Sequence, residues 1–176
     1  MSGLIVNIKR LHPYAVVPRY ATELAAGFDL VAVEDVIIAP GETKLIPLGF
    51  AIEIPPGYEM QVRPRSGITL RTKLRVANSP GTVDADFRAE VGVIIDNIDR
   101  GYQGTDPYAR TIDGGETLMV RHVRYGTYLI REGDRIAQGV IAPVERVTFA
   151  VVDELSETKR GSGGFGSSGT RADVSV

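Results

Sequence analysis

The chain contains no cysteine and no tryptophan, and its only histidines are His12 and His122. Without thiols it can build no disulfide scaffold, no Cys-bound zinc or iron–sulfur centre and no thiol nucleophile. Two histidines exclude a multi-histidine metal site, and a Ser-His-Asp triad would have to use one of them. An excess of one charge is also missing. Lys+Arg 20 against Asp+Glu 22 gives a formal charge of -2, which excludes a strongly basic nucleic-acid coat, and no direct nucleic-acid contact is expected. Long apolar runs are absent as well. Leu4-Ile5-Val6 is broken at once by Asn7, Lys9 and Arg10, too short for a signal-peptide core or a membrane span. A soluble, cytoplasmic protein with no membrane partner is the expectation. An enzyme built from this chain must work with carboxylates, arginines, hydroxyls and backbone groups.

What is present favours strands. The 176 residues include 20 Val, 15 Ile and 12 Thr, all β-branched, and Gly 20 with Pro 10 supplies turns. This length fits one domain with a real core. Helical periodicity is nearly absent, with Ser66–Lys73 the one short candidate. Strands are predicted at Leu4–Leu11, Phe28–Val33, Val36–Ile38, Thr43–Ile54 and Tyr58–Arg63. Further runs follow at Arg75–Ala77, Glu90–Ile95, Thr117–His122, Thr127–Ile130, Ile136–Pro143 and Val147–Val152. Many short strands without βα alternation predict an all-β fold, a jelly-roll-like β-barrel or sandwich. Asn97–Gly115 is polar and turn-rich, so residues 97–126 read as a surface insertion in a domain spanning 1–152. Residues 153–176, rich in Gly, Ser and charge, read as a flexible C-terminal arm.

Several segments could carry chemistry. Gly161-Ser-Gly-Gly-Phe-Gly166 matches the dinucleotide fingerprint literally, but too few residues follow for the helix and second strand that give it meaning. Arg160 and Phe165 still set it apart from a plain linker: an arm over a ligand would stack the ring on a base and pair the guanidinium with phosphate. Arg63-Pro-Arg65-Ser66-Gly67 ends a strand and opens the candidate helix, so it is either a phosphate site or a plain Ser cap with solvated arginines. Asp84 and Asp86 stand two apart after a turn-like Gly81-Thr-Val. The pair could bind a hard cation, one of them could serve as a general base, or both could be solvated turn residues; the Gly and distal Glu of an EF-hand loop are missing. Asp29 inside an apolar strand and Arg135 before another could form no more than an edge ion pair.

In order, these segments resemble the five motifs of the homotrimeric dUTPase family: AGFDL at 26–30, RPRSG at 63–67, NSPGTVDADFRAEVG at 78–92, EGDRIAQ at 132–138 and RGSGGFGSSG at 160–169. The resemblance implies a jelly-roll-type β-barrel and a homotrimer with shared active sites. It also implies Mg²⁺ as cofactor, held mainly by substrate phosphates and water. The implied reaction is hydrolysis of dUTP to dUMP and pyrophosphate, limiting uracil in DNA and supplying dUMP for dTMP synthesis. Carried over by position, Asp84 resembles the base that activates water. Asn78 and the backbone at Val91 and Gly92 resemble the uracil readers, and Phe87 the ring against deoxyribose, where the family usually has Tyr. Arg65, Ser66, Gly67 and Gln138 resemble triphosphate contacts. Arg160, Phe165, Gly166 and Ser167 resemble the closing arm, with Phe165 as the uracil lid. Asp29 and Arg135 resemble supporting residues.

The insertion at 97–126 resembles an extra segment of some phage-encoded members, where it engages protein partners; in a phage protein the compartment would be a bacterial host's cytoplasm. Two other functions are open: a dCTP deaminase of the same fold, whose base is usually Glu, and a nucleotide-gated regulatory protein acting through the insertion. A carbohydrate-binding jelly roll would want exposed aromatics, and the chain has no Trp.

Overall fold

In the computed structural model, residues 3–165 and Ser167 are described. Strands follow one another as β1 (Asn7–Arg10), β2 (Phe28–Val31), β3 (Val36–Ile38), β4 (Thr43–Glu53) and β5 (Tyr58–Pro64). After α1 (Ser66–Arg71) come β6 (Leu74–Val76), β7 (Gly81–Val83), β8 (Glu90–Asn97), β9 (Thr105–Thr111), β10 (Glu116–Arg124), β11 (Tyr128–Ile130) and β12 (Arg135–Pro143). They form three four-stranded sheets, ordered β1-β4-β8-β6, β10-β9-β11-β3 and β2-β12-β5-β7. The fold is all-β, as composition predicts. Among the described residues its strands form three ladders, none of which closes on itself.

Alternation places the core. Ile46, Leu48, Phe50 and Ile52 of β4, Val91, Val93 and Ile95 of β8, and Leu30, Met60, Leu74, Ile130 and Ile136 are buried in one apolar cluster. The sheet that carries Asp29, Arg135 and Gln138 is pinned where β12 runs between β2 and β5. Gly139 pairs with Phe28 on one side and Val62 on the other. A Cβ on Gly139 would collide with the Phe28 ring and stand 3.0 Å from Met60 Sδ. Gly139→Ala is therefore expected to cost about 1–3 kcal/mol by overpacking, read as a lower denaturation midpoint at unchanged m-value.

Three local expectations change. The polar segment read as a surface insertion contains β9, which pairs with β10 and runs parallel to β11, so part of it enters a sheet. Ala109 and Thr111 of β9 are buried, but Pro107 and polar neighbours hide the alternation in the sequence. Asn97 anchors its base: buried, it donates to the carbonyls of Ile38 and Gly126 and accepts from the Asp99 N–H. The short β7, missed in the turn-like Gly81-Thr-Val, pairs with β5. Val147–Val152, expected as a strand, makes none; Val147, Phe149 and Val151 are exposed. The chain divides into a compact unit ending at Glu145 and a second unit beginning at Arg146.

Candidate active site

The β7–β8 connection builds the first cleft. β7 pairs with β5, and β8 pairs with β4. Between them a turn closes with the Phe87 N–H donating to the Asp84 carbonyl at 3.1 Å. Val83 is buried and anchors the turn, so Asp84 projects from the last fixed position of the strand. Asn78, Asp84, Phe87, Val91 and Gly92 line a cleft of about 230 Å³, together with Leu45 and Glu90. Asp86 is not among its lining residues. On its other side β8 is covered by β6 only at Ile95–Asn97. Its Glu90–Val93 half therefore has no neighbouring strand along that edge among the described residues, and backbone donors and acceptors are left there for a planar ligand. Gly92 matters for room: a Cβ would lie 2.6 Å from Leu45 Cδ1 and 3.1 Å from the Ile46 carbonyl.

A second, wider cleft of about 890 Å³ is lined by Ser66, Gln138, Arg63, Thr69 and Ser79. β12 presents Gln138 opposite Arg63 of β5 and Asp29 of β2. Its amide donates to the Pro64 carbonyl at 2.9 Å, which locks the side chain beside Arg65 and Ser66. Gly67 carries the Arg71 guanidinium against it, with Arg71 Nε donating to the Gly67 carbonyl at 3.1 Å.

Asp29 joins the two supporting arginines. Its Oδ1 lies 3.0 Å from Arg65 Nε and its Oδ2 3.2 Å from Arg135 Nη1. Arg65 Nη1 also donates to the Arg135 carbonyl at 3.0 Å. One carboxylate thus orients two guanidinium groups, one from the β5–α1 junction and one from β12, a bridge that no spacing in the sequence announces. Next to Arg135, burial pushes the Asp134 carboxyl above its usual range while the Arg131 N–H holds it at 2.8 Å. Arg65 and Arg135 face a third cavity of about 390 Å³, separate from the Ser66 cleft.

The structure thus groups Asn78, Asp84, Phe87, Val91 and Gly92 in one place and Ser66 and Gln138 in another, while Asp29, Arg65 and Arg135 are joined by ion pairs. In the second unit, Arg160 Nε donates to the Gly163 carbonyl at 2.8 Å, and Ser167 N–H to the Gly164 carbonyl at 3.1 Å. Phe165 is fully exposed in the left-handed region at φ 51°. Gly166 lies outside the described residues. Leu45 and Glu90 were not singled out in the sequence. Leu45 is an exposed leucine on an otherwise core-forming strand, and nothing in its spacing marks it as a cleft wall.

Comparison with known proteins points the same way. The family model described as dUTPase matches residues 13–101 and 119–169, skipping the middle of the insertion. The deoxyuridine 5'-triphosphate nucleotidohydrolase of Nautilia profundicola is 44% identical over 164 residues, 93% of this chain and 98% of its own. That of an Anaeromyxobacter species is 46% identical over 152 residues, 86% of each. Among solved structures, the Staphylococcus bacteriophage 80alpha dUTPase with dUPNHPP superposes with a TM-score of 0.87 at 32% identity, over 94% of this chain and 99% of that one. A mutant dUTPase from phage phi11 of S. aureus, described with a structural Mg(II) ion, gives 0.82 at 30% identity over 87% and 99%. Matched by the family model over most of its length and by relatives over nearly their whole length, the chain belongs to the dUTPase family.

Proposed function

We propose that this protein hydrolyses dUTP to dUMP and pyrophosphate, with the base held in the Asp84 cleft and the phosphates at Ser66 and Gln138. The observation that carries the reading is the cleft itself: the Asp84 carboxylate beside an unpaired β8 edge and an aromatic ring, in a chain whose relatives are named for this reaction. Water attacks the α-phosphorus, the bond to the α,β-bridging oxygen breaks, and pyrophosphate leaves with the electron pair. Asp84 takes the proton from the attacking water as general base, so no covalent intermediate is needed.

Val91 and Gly92 read uracil through the backbone edge, and Asn78 reads it through its amide. A fixed donor–acceptor pair rejects cytosine by mismatch, and a close-fitting edge rejects the thymine methyl; such sites discriminate by roughly 10⁴ or more. Phe87 packs against the deoxyribose. Ser66, Gly67, Gln138 and the free end of Arg65 take phosphate oxygens, while Asp29 and Arg135 position Arg65. Arg160, Phe165, Gly166 and Ser167 close over the nucleotide.

Mg²⁺ fits this donor set as a partner of the substrate. The residues around the second cleft offer hydroxyl, amide and guanidinium groups, which suit phosphate oxygens and not a cation. Among the described residues no group of three His, Cys, Asp or Glu is placed to hold a metal. The ion would therefore ride on the triphosphate, where it neutralises charge.

The clefts for base and phosphate are separate in one chain, and the alternating apolar residues Val147, Phe149 and Val151 are exposed, as a strand awaiting another copy would be. Both features support a homotrimer with shared sites, which sedimentation equilibrium tests; a monomer at working concentration would contradict it. A protein partner at the insertion is supported by exposed Leu118 and Val120 on the edge strand β10. On that reading, replacing both by Asp leaves dUTP turnover unchanged, and lost turnover would place β10 in the catalytic machinery instead. No helix among the described residues is long and apolar enough to cross a membrane.

The direct test offers dUTP, dTTP and dCTP with and without chelator and identifies the products. dUTP alone should be turned over, giving dUMP and pyrophosphate, more slowly with chelator. Equal turnover of dTTP, or deamination of dCTP, would overturn the reading.

A further inference from the structure

The Asp84 cleft is held from behind by a distorted joint between β8 and β4. Pro47 pairs with Gly92 and Ala51 with Glu90, so Leu48, Gly49 and Phe50 all stand opposite Val91. This bulge turns on Gly49, whose φ of 72° favours glycine. A Cβ there would also lie 2.7 Å from Val33 Cγ1 and 2.8 Å from His12 Cβ. The bulge removes Gly49 from the β4–β8 ladder. Its carbonyl accepts from the N–H groups of Leu11 and His12, at 2.7 and 3.1 Å. Its N–H donates to Glu90 Oε1 at 2.8 Å. Gly49 is buried, so the Glu90 carboxylate satisfies a donor that would otherwise be stranded.

Glu90 sits between the two halves of the cleft. Asp84 and Phe87 precede it on the turn, and Val91 and Gly92 follow it on the open β8 edge. We propose that Glu90 is a positioning residue for base selection: by clamping the start of β8 to the Gly49 N–H, it fixes how far the β8 edge stands into the cleft. The inference rests on the dUTP reading above. A charge-assisted bond to a backbone N–H is short and directional, suited to holding an edge whose spacing must admit uracil and refuse a methyl group. Glu90 does this through Gly49 and Val91 and needs no contact with the reacting atoms.

The test compares Glu90→Ala and Glu90→Gln with the parent on dUTP and dTTP. Glu90→Ala should raise KM for dUTP about ten-fold with kcat within about three-fold, because ground-state placement of the base is lost and the base catalyst is not. The dTTP-to-dUTP ratio of kcat/KM should rise about ten-fold as the edge loosens. Glu90→Gln keeps an oxygen acceptor and should restore both. If Glu90→Ala does not fold, Glu90→Asp, one methylene short of the Gly49 N–H, should give the same KM-against-kcat split. Unchanged KM and unchanged ratio in a folded Glu90→Ala or Glu90→Asp protein would overturn the clamp, as would a Gln variant no better than Ala. Amide exchange at Gly49 separates this from the functional reading. Should the parent fail to turn over dUTP, fast Gly49 exchange in the Ala or Asp variant alone would leave the clamp standing, and equal exchange would remove it.

Discussion

Asp84→Asn is expected to lower dUTP turnover by roughly 10²–10⁴, the range typical when a positioned general base is lost. The substitution keeps the shape of the side chain and removes its basicity. Asp84 follows the buried anchor Val83 and lines the cleft with Asn78, Val91 and Gly92, whereas Asp86 lies two residues further along the turn and does not line it. Asp86→Asn should therefore stay near parental activity. Affinity for a non-hydrolysable dUTP analogue should be largely spared in both variants, because neither change touches the backbone edge that reads the base. Steady-state kinetics and analogue titration on the two variants check the assignment. A fully active Asp84→Asn protein beside an inactive Asp86→Asn protein would reverse it.

The second large effect is expected from the arm. Removing residues 158–176 deletes Arg160 and Phe165 but no residue of the three sheets or of the apolar core. Folding should be intact by thermal melt, while turnover falls by about two to four orders of magnitude. The magnitude follows from base–aromatic stacking of ~1–3 kcal/mol and a charge-assisted bond of ~1.5–3 kcal/mol, at about 1.4 kcal/mol per decade. The exposure of the Phe165 ring in the free protein is what a lid waiting for its base requires. The absence of tryptophan makes Phe165→Trp a lone reporter. Its fluorescence should change with a non-hydrolysable dUTP analogue and Mg²⁺, and much less with dUMP, which lacks the β- and γ-phosphates that a closing arm would grip. Equal responses to both ligands, or full activity after truncation, would reject a closing arm.

Strand content was legible because large apolar residues recur at every second position, as Ile46, Leu48, Phe50 and Ile52 do in β4. The five motif segments were legible as types and order of polar residues. Contacts that depend on register between distant strands were not. Asp29 meets Arg65 and Arg135 only because β2, β12 and β5 pair side by side, and Glu90 meets Gly49 only because β4 bulges by two residues. Glu90 was visible as part of a motif, yet its partner lies 41 residues away. β9 was hidden by the opposite effect. Its buried positions are Ala109 and Thr111, small or polar, so its place beside β11 leaves little hydrophobic alternation to read. Val147–Val152 alternates in sequence as a strand does but has no ladder partner among the described residues, because an alternating pattern does not by itself supply a neighbouring strand.

Hydrolysis of dUTP in isotopically labelled water, with mass analysis of both products, reaches the central claim most directly. Attack on the α-phosphorus predicts one labelled oxygen in dUMP and none in pyrophosphate, at a rate that collapses in Asp84→Asn. Label in pyrophosphate or release of single phosphate would contradict the account, as would labelled dUMP formed at the parental rate without Asp84.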